Sequence, residues 1–211
     1  MPPPSSTIRL VELELATPPA AWERIGFVVT GGVFPVGTTL LRPRGEGGGG
    51  IARWTLAGVG DGSFDGLPTR VAVDPQVVPR SAEHPNGALR IDHVVVRTPS
   101  IDRTVAALGA SGLELRRTRD AGDGVRQGFV WVGDTILELV ETPGDDPAAR
   151  ASFWGLVVVV ADLERAAAVA GDALGRVRDA VQPGRRIATV RESAGLGVRL
   201  AVMTPHVGRA G

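Results

Sequence analysis

The chain contains no cysteine and, among its 23 basic residues, no lysine. Without thiols there is no thiolate nucleophile, no cysteine metal ligand and no disulfide. Without a lysine amine, Schiff-base chemistry is excluded. Every basic residue is therefore arginine, a bias that a GC-rich genome would also produce. The acidic residues also number 23, so the formal net charge is zero. No bulk charge draws the protein to nucleic acid or to an anionic membrane. A bilayer span needs about 20 apolar residues, and the longest apolar stretch, Phe153 to Ala161, is far shorter. The opening "MPPPSSTIRL" lacks the basic region and apolar run of a signal peptide, which predicts a cytoplasmic protein. What remains is a chain of 211 residues, 43% hydrophobic and 22% charged. That composition is globular, with room for one large domain or two small ones.

Three segments begin alike: "IRLVELELATP" from Ile8, "LRIDHVVVRTP" from Leu89 and "WGLVVVVADLE" from Trp154. Each is an apolar strand followed at once by a helix start. In the first two, Thr17 and Thr98 are expected N-caps, with Pro18 and Pro99 at the first helical position. In the third, Asp162 takes the cap role, and Gly112 and Gly175 lie where helices end. Short strands follow each helix. In the second copy they are "LELRRT", "RQGFVWV" and "DTILELVE", with Gly133-Asp134 as a tight hairpin turn. In the third they are "VRDAV", "RRIATVRE" and "VRLAVMTP". The spacing predicts a repeated βαβββ unit, an α+β fold with a curved mixed sheet and helices on one face. The first copy offers four strands, "GFVVTGG", "VGTTLLRP", "GIARWTLAGV" and "PTRVAV", one more than the unit needs. The glycine run Gly45 to Gly50 is expected to be a surface loop. Expected boundaries are a degenerate module over 1–78, a linker over 79–88 within the proline-rich stretch from Asp74, and paired modules over 89–146 and 152–205.

The segments "IDHVVVRTPSIDRTVAALGASGLEL", "GDTILELVE" and "FWGLVVVVADLERAAA" resemble the vicinal oxygen chelate superfamily, the glyoxalase and bleomycin-resistance-like proteins. The resemblance covers residues 89 to 205 well and 7 to 78 weakly. It implies two modules curled into a shared cup, with metal ligands drawn from the first and last strand of each. Carried over, His93 and Glu138 fall at the two ligand positions of the second copy, and both suit a divalent metal. In the third copy the same positions hold Leu156 and Leu200, which cannot ligate, so the implied metal site is degenerate. In the first copy Glu12 matches His93, and "VGTTLLRP" set on "VGDTILEL" places Arg42 at the Glu138 position.

Three readings of His93 stand side by side: a core histidine with a satisfied ring, a metal ligand, and an acid/base partner of Glu138. Alternation puts Ile91, His93 and Val95 on one face, and Ile136, Glu138 and Val140 on another. One of Arg185 and Arg186 should face the cup as an anion clamp, beside Gln182, Gln127 and Trp154 as substrate contacts. Trp54 and Trp131 read as core or wall, "HPNG" at His84 as a linker turn, "RRTRD" as a solvated strand edge, and His206 as a frayed tail. Two functions are implied. One is an enzyme of the lyase, isomerase or dioxygenase kind acting on a small oxygenated anion. The other is a metal-free protein that binds or sequesters a small molecule. If the first copy lacks a mate within the chain, it would find one in a homodimer.

Overall fold

The computed structural model describes residues 8–45, 48–60, 62–73 and 82–206. Residues 1–7, the middle of the glycine run and the stretch 74–81 of the expected linker lie outside the described residues. The first half contains β1 (Arg9–Leu15), α1 (Pro19–Arg24), β2 (Phe34–Val36), β3 (Thr39–Pro43), β4 (Ile51–Ala57) and β5 (Thr69–Val71). The second contains β6 (Ala88–Arg97), α2 (Ile101–Gly109), β7 (Leu115–Asp120), β8 (Arg126–Val132) and β9 (Thr135–Glu141), then β10 (Ser152–Val160) and α3 (Leu163–Ala170). It closes with β11 (Arg178–Asp179), β12 (Arg186–Thr189) and β13 (Arg199–Met203).

The second and third copies build the expected βαβββ units and share one eight-stranded sheet, in the order β11-β12-β13-β10-β6-β9-β8-β7. The first strands β6 and β10 lie antiparallel at its centre, and each has its own closing strand, β9 or β13, parallel beside it. The first half forms a second sheet, β2-β3-β1-β4-β5. Its order repeats the middle of the larger one: β3 runs parallel to β1, β4 antiparallel to β1, and β5 parallel to β4. The segment beyond the first unit is thus a contracted fourth module, β4 and β5, with no helix among the described residues between them. β1 finds its mate inside the chain, which removes the reason to seek one in a second subunit. "GFVVTGG", expected as a strand, makes only an isolated bridge between Thr30 and Val33.

The helix ends differ in detail from expectation. Thr17 and Thr98 are not the caps: Pro18 occupies the first cap without a side-chain bond, and Ser100 caps α2 by accepting from the Arg103 N–H. Thr17 instead accepts from Trp22 Nε1, and Thr98 bonds Thr104 across the first turn of α2. Asp162 caps α3 as expected, accepting from Arg165 N–H at 3.0 Å. Gly171, not Gly175, follows the last residue of α3.

Apolar residues of both sheets and all three helices form one continuous core. Trp54 of β4 meets Phe153 of β10 edge-on, with ring centroids 5.4 Å apart. The two halves also clasp reciprocally through equivalent hairpins. The β8–β9 turn at Gly133 lies against Ile8 and Arg9 at the start of β1, and the β2–β3 turn at Gly37 lies against Leu89 and Arg90 of β6. Both glycines have positive φ, +67° and +61°, and a Cβ at either would press on the opposite strand's backbone. Thr38 donates to Asp134 between the two turns.

His84, expected in a solvated linker turn, is buried. Its Nδ1 accepts from the Val28 N–H at 3.1 Å and its Nε2 donates to the Pro35 carbonyl at 2.7 Å. Phe27 and Phe34 both meet the ring edge-on, and with both nitrogens bonded the imidazole is held inside without an unsatisfied polar atom. Replacing it, His84→Ala, strands two backbone groups and is expected to cost roughly 3 kcal/mol, read from urea unfolding.

Candidate functional site

One face of the eight-stranded sheet packs on the core; the other lines a cavity of about 1120 Å³. The core side carries Val94, Val96, Leu137, Leu139, Leu156 and Leu200. The cavity side carries His93, Val95, Gln127, Glu138, Val140 and Trp154.

A β-bulge decides what β6 presents. His93 is level with Val157 on β10, but Val158 is level with Ile91, leaving Asp92 as the extra residue. Ile91 therefore joins the core instead of sharing a face with His93, as strict alternation predicted. Asp92 is freed to sit against the imidazole, its Oδ2 3.1 Å from His93 Nδ1. It also receives two hydrogen bonds from the guanidinium of Arg185, Nη2 to Oδ1 at 3.0 Å and Nη1 to Oδ2 at 3.2 Å. Arg90 adds a contact at 3.2 Å. Both members of the Asp92–Arg185 pair are fully enclosed, at 4% and 1% exposure.

The chain of contacts continues into the cavity. His93 Nε2 lies 3.1 Å from Glu138 Oε2. Gln127 Nε2 donates to Glu138 Oε1 at 2.7 Å, and Gln127 Oε1 is buried with no protein partner. Burial alone would push the Asp92 carboxyl up. Hydrogen bonds from His93 and Arg185 and the adjacent positive charges outweigh it and hold the group well below the usual carboxylate range. Asp92 is therefore an anion that accepts the Nδ1 proton of His93. His93 Nε2 is left facing the Glu138 carboxylate, 3.1 Å from Oε2.

Of the expected substrate contacts, Gln127 and Trp154 line the cavity, whereas Gln182, Arg185 and Arg186 are not among its lining residues. Gln182 forms the turn before β12, its carbonyl accepting from the Arg185 N–H. Arg185 cannot act as an anion clamp, because Asp92 and the Thr204 carbonyl take its donors. Arg186 points the other way and pairs with Glu164 at 2.6 Å. His206, expected in a frayed tail, meets Arg185 Nη1 at 3.3 Å.

The metal expected from the resemblance does not fit this donor set. Matching the helix caps Ser100 and Asp162 places Gly155 at the position of His93. The parallel registers Val95–Glu138 and Val157–Ala201 place Ala201 at that of Glu138. The expected positions Leu156 and Leu200 are one residue out of register and are buried with the core. Neither Gly155 nor Ala201 carries a donor atom, and a Cβ at position 155 would collide with the Arg199 backbone. Each ring nitrogen of His93 already has a carboxylate neighbour. Among the described residues no group of three histidine and carboxylate side chains is arranged to hold a metal ion.

The first module shows the same positions in another state. Glu12 and Arg42, the counterparts of His93 and Glu138, form an ion pair at 2.7 Å. The hydrogen bond from Arg42 to Glu12 raises the guanidinium pKa further. Glu14 is surrounded by Arg44, Arg53 and Arg70.

Asp92, the residue that alternation hid, is missed because period-two reasoning turns it away from His93; its adjacency to the histidine was the available signal. The Asp92–Arg185 pair yields a direct test. Asp92→Asn or Arg185→Met alone should each cost about 3–5 kcal/mol, by leaving a buried charge unpaired, and the double variant less than their sum. The folded pKa of Asp92 is depressed, so its contribution is fully present above the unfolded value of about 4 and is lost as pH falls through the folded value. Urea melts in acid should show this loss for the native chain and not for Asp92→Asn.

Sequence comparisons find no matching family model and no matching curated protein. Among solved structures, a xylose isomerase-like TIM barrel/4-hydroxyphenylpyruvate dioxygenase fusion protein superposes on 100% of this chain with a TM-score of 0.66 at 14% identity. This chain spans 51% of that one. Methylmalonyl-CoA epimerase from Mycobacterium tuberculosis matches 62% of this chain and 94% of its own, with a TM-score of 0.47 at 17% identity. A hypothetical protein from Bacillus halodurans matches 58% and 98%, also at 0.47, with 18% identity. Full-length superposition, with the paired first strands flanked by parallel closing strands in both sheets, shows that the chain has the vicinal oxygen chelate fold.

Proposed function

We propose that the protein is an enzyme that moves a proton on an oxygenated organic molecule bound in the cavity, with His93 and Glu138 as the acid/base pair. The observation that carries this reading is the 3.1 Å contact between His93 Nε2 and Glu138 Oε2 in the cavity wall, backed by the anionic Asp92. Without a proton between them, the pair is a base; with one, an acid. Next to a substrate carbonyl, the pair takes a proton from the adjacent carbon and the C–H electrons pass to the carbonyl oxygen as an enolate. Returning the proton to the same face gives exchange alone, and returning it to the opposite face of that carbon completes an isomerisation with no net gain or loss of atoms or electrons. Asp92 stabilises the imidazolium formed on the way, as a carboxylate behind a catalytic histidine does. Gln127 positions Glu138, and its free Oε1 supplies an acceptor for a substrate hydroxyl.

A second reading has its own support. The cavity exceeds the ordinary range for small ligands, and valine, leucine and isoleucine supply much of its wall. Such a cup also suits a protein that binds or sequesters an apolar small molecule without changing it.

Incubation in D2O with a panel of 2-oxo acids, aldoses and thioesters, followed by NMR, separates the two. Exchange of a carbon-bound proton is expected for at least one compound, slowed about 10²-fold or more in Glu138→Gln and His93→Gln. Binding without exchange across the panel would sink the proton-transfer reading in favour of sequestration.

A further inference from the structure

The cavity wall is positively charged in a chain of zero net charge. Its lining includes Arg97, Arg178, Arg191 and Arg199 against only two carboxylates, Glu138 and Glu192. Two of the four arginines are occupied. Arg97 is tied to Asp145 at 2.8 Å, and Arg199 lies over the Trp154 ring at 4.9 Å, within 3.9 Å of Glu192. Arg178 and Arg191 have no ion pair or side-chain hydrogen bond among the described residues.

Both lie on the cavity wall. Ile187 and Thr189 of β12 line it with Ala188 between them buried in the core, and the wall continues through Val190 and Arg191 just beyond the strand. Arg178 on β11 is level with Ile187 and shares its face. The backbone around Arg191 is fixed: its N–H donates to the Ala173 carbonyl, and the neighbouring Val190 N–H donates to Leu200. Both arginines belong to the third repeat, whereas His93, Glu138 and Gln127 belong to the second.

We infer that Arg178 and Arg191, about 13 Å apart along the β11–β12 edge by register, flank an anion subsite across the cup from the proton-transfer pair that takes the phosphate or carboxylate end of an elongated substrate between them. This inference rests on the acid/base reading only for where the reacting carbon lies. Between the two ends the walls are aliphatic, Val157, Ala201, Val190 and Leu196 among them, so the substrate is apolar in the middle. Cations that face a concave wall concentrate the field there, and a guanidinium offers paired donors to an oxyanion. Arg185 and Arg186, of which the sequence nominated one for this work, are paired with Asp92 and Glu164 and leave the task to the two unpaired arginines.

Isothermal titration with inorganic pyrophosphate and, separately, with succinate tests the subsite and tells a phosphate-bearing end from a carboxylate-bearing one. Saturable binding of at least one probe is expected, weakening as ionic strength rises. In Arg178→Ala/Arg191→Ala that affinity should fall at least about tenfold. Arg116→Ala/Arg119→Ala removes the same charge from the exposed strand β7 and should leave affinity within about twofold. An equal loss in both double variants, or no saturable binding of either anion, overturns the subsite. Glu138→Gln, which removes a negative charge from the wall, should still bind the probe saturably. Intact anion binding with no proton exchange would therefore defeat the acid/base reading and leave the subsite standing.

Discussion

A buried charge organises the second half of this protein. Asp92 lies almost entirely out of water, and an isolated carboxylate there would be prohibitively costly. Arg185 makes it tolerable by presenting two donors from the turn before β12, three strands away across the sheet. That pairing binds the second and third repeats to one another by something more directional than aliphatic packing. It also fixes the bulge in β6, because Asp92 must leave the alternating pattern to reach both the guanidinium and the imidazole. The orientation of His93 follows, and with it the contact to Glu138. A single enclosed ion pair thus sets the geometry of the contact between His93 and Glu138.

Comparison of the two halves shows how the same topology can hold different chemistry. The first strand and its parallel closing strand bring two side chains together wherever the unit occurs. In the first module those side chains are Glu12 and Arg42, opposite charges that satisfy one another and fill the space. In the second they are His93 and Glu138, which meet at 3.1 Å and border a large cavity. In the third they are glycine and alanine. Ala201 leaves cavity volume that a larger residue would fill, whereas Gly155 is kept small by the Arg199 backbone pressed against it.

Much of this architecture was legible in the sequence. The three strand-helix openings, the Gly133-Asp134 hairpin and the Asp162 cap are local signals, and local signals survive folding. The contacts of His93 and Glu138 follow from the parallel register of β6 and β9, which the repeat implied. Four features escaped for physical reasons. Asp92 was hidden because a bulge breaks period two. Arg185 was misassigned because its partner is distant in sequence and alternation cannot say which cation finds a buried anion. Leu156 and Leu200 were one place off because matching runs of valine fixes composition, not register; the helix caps fix register. His84 was misread because a turn sequence says nothing about which surface the turn is pressed against.

The reciprocal hairpins have a consequence for how the chain is made. β1 emerges early in synthesis, yet the glycine that seats against it, Gly133, lies in the second half, and Gly37 likewise waits for Leu89 and Arg90. Each half therefore holds an exposed apolar sheet face until the other arrives, a situation of high contact order in which folding is slow and partial structures are adhesive. The zero net charge does nothing to keep such intermediates apart. The clasp that gives the finished molecule a single core makes the nascent one dependent on rapid completion, or on a chaperone.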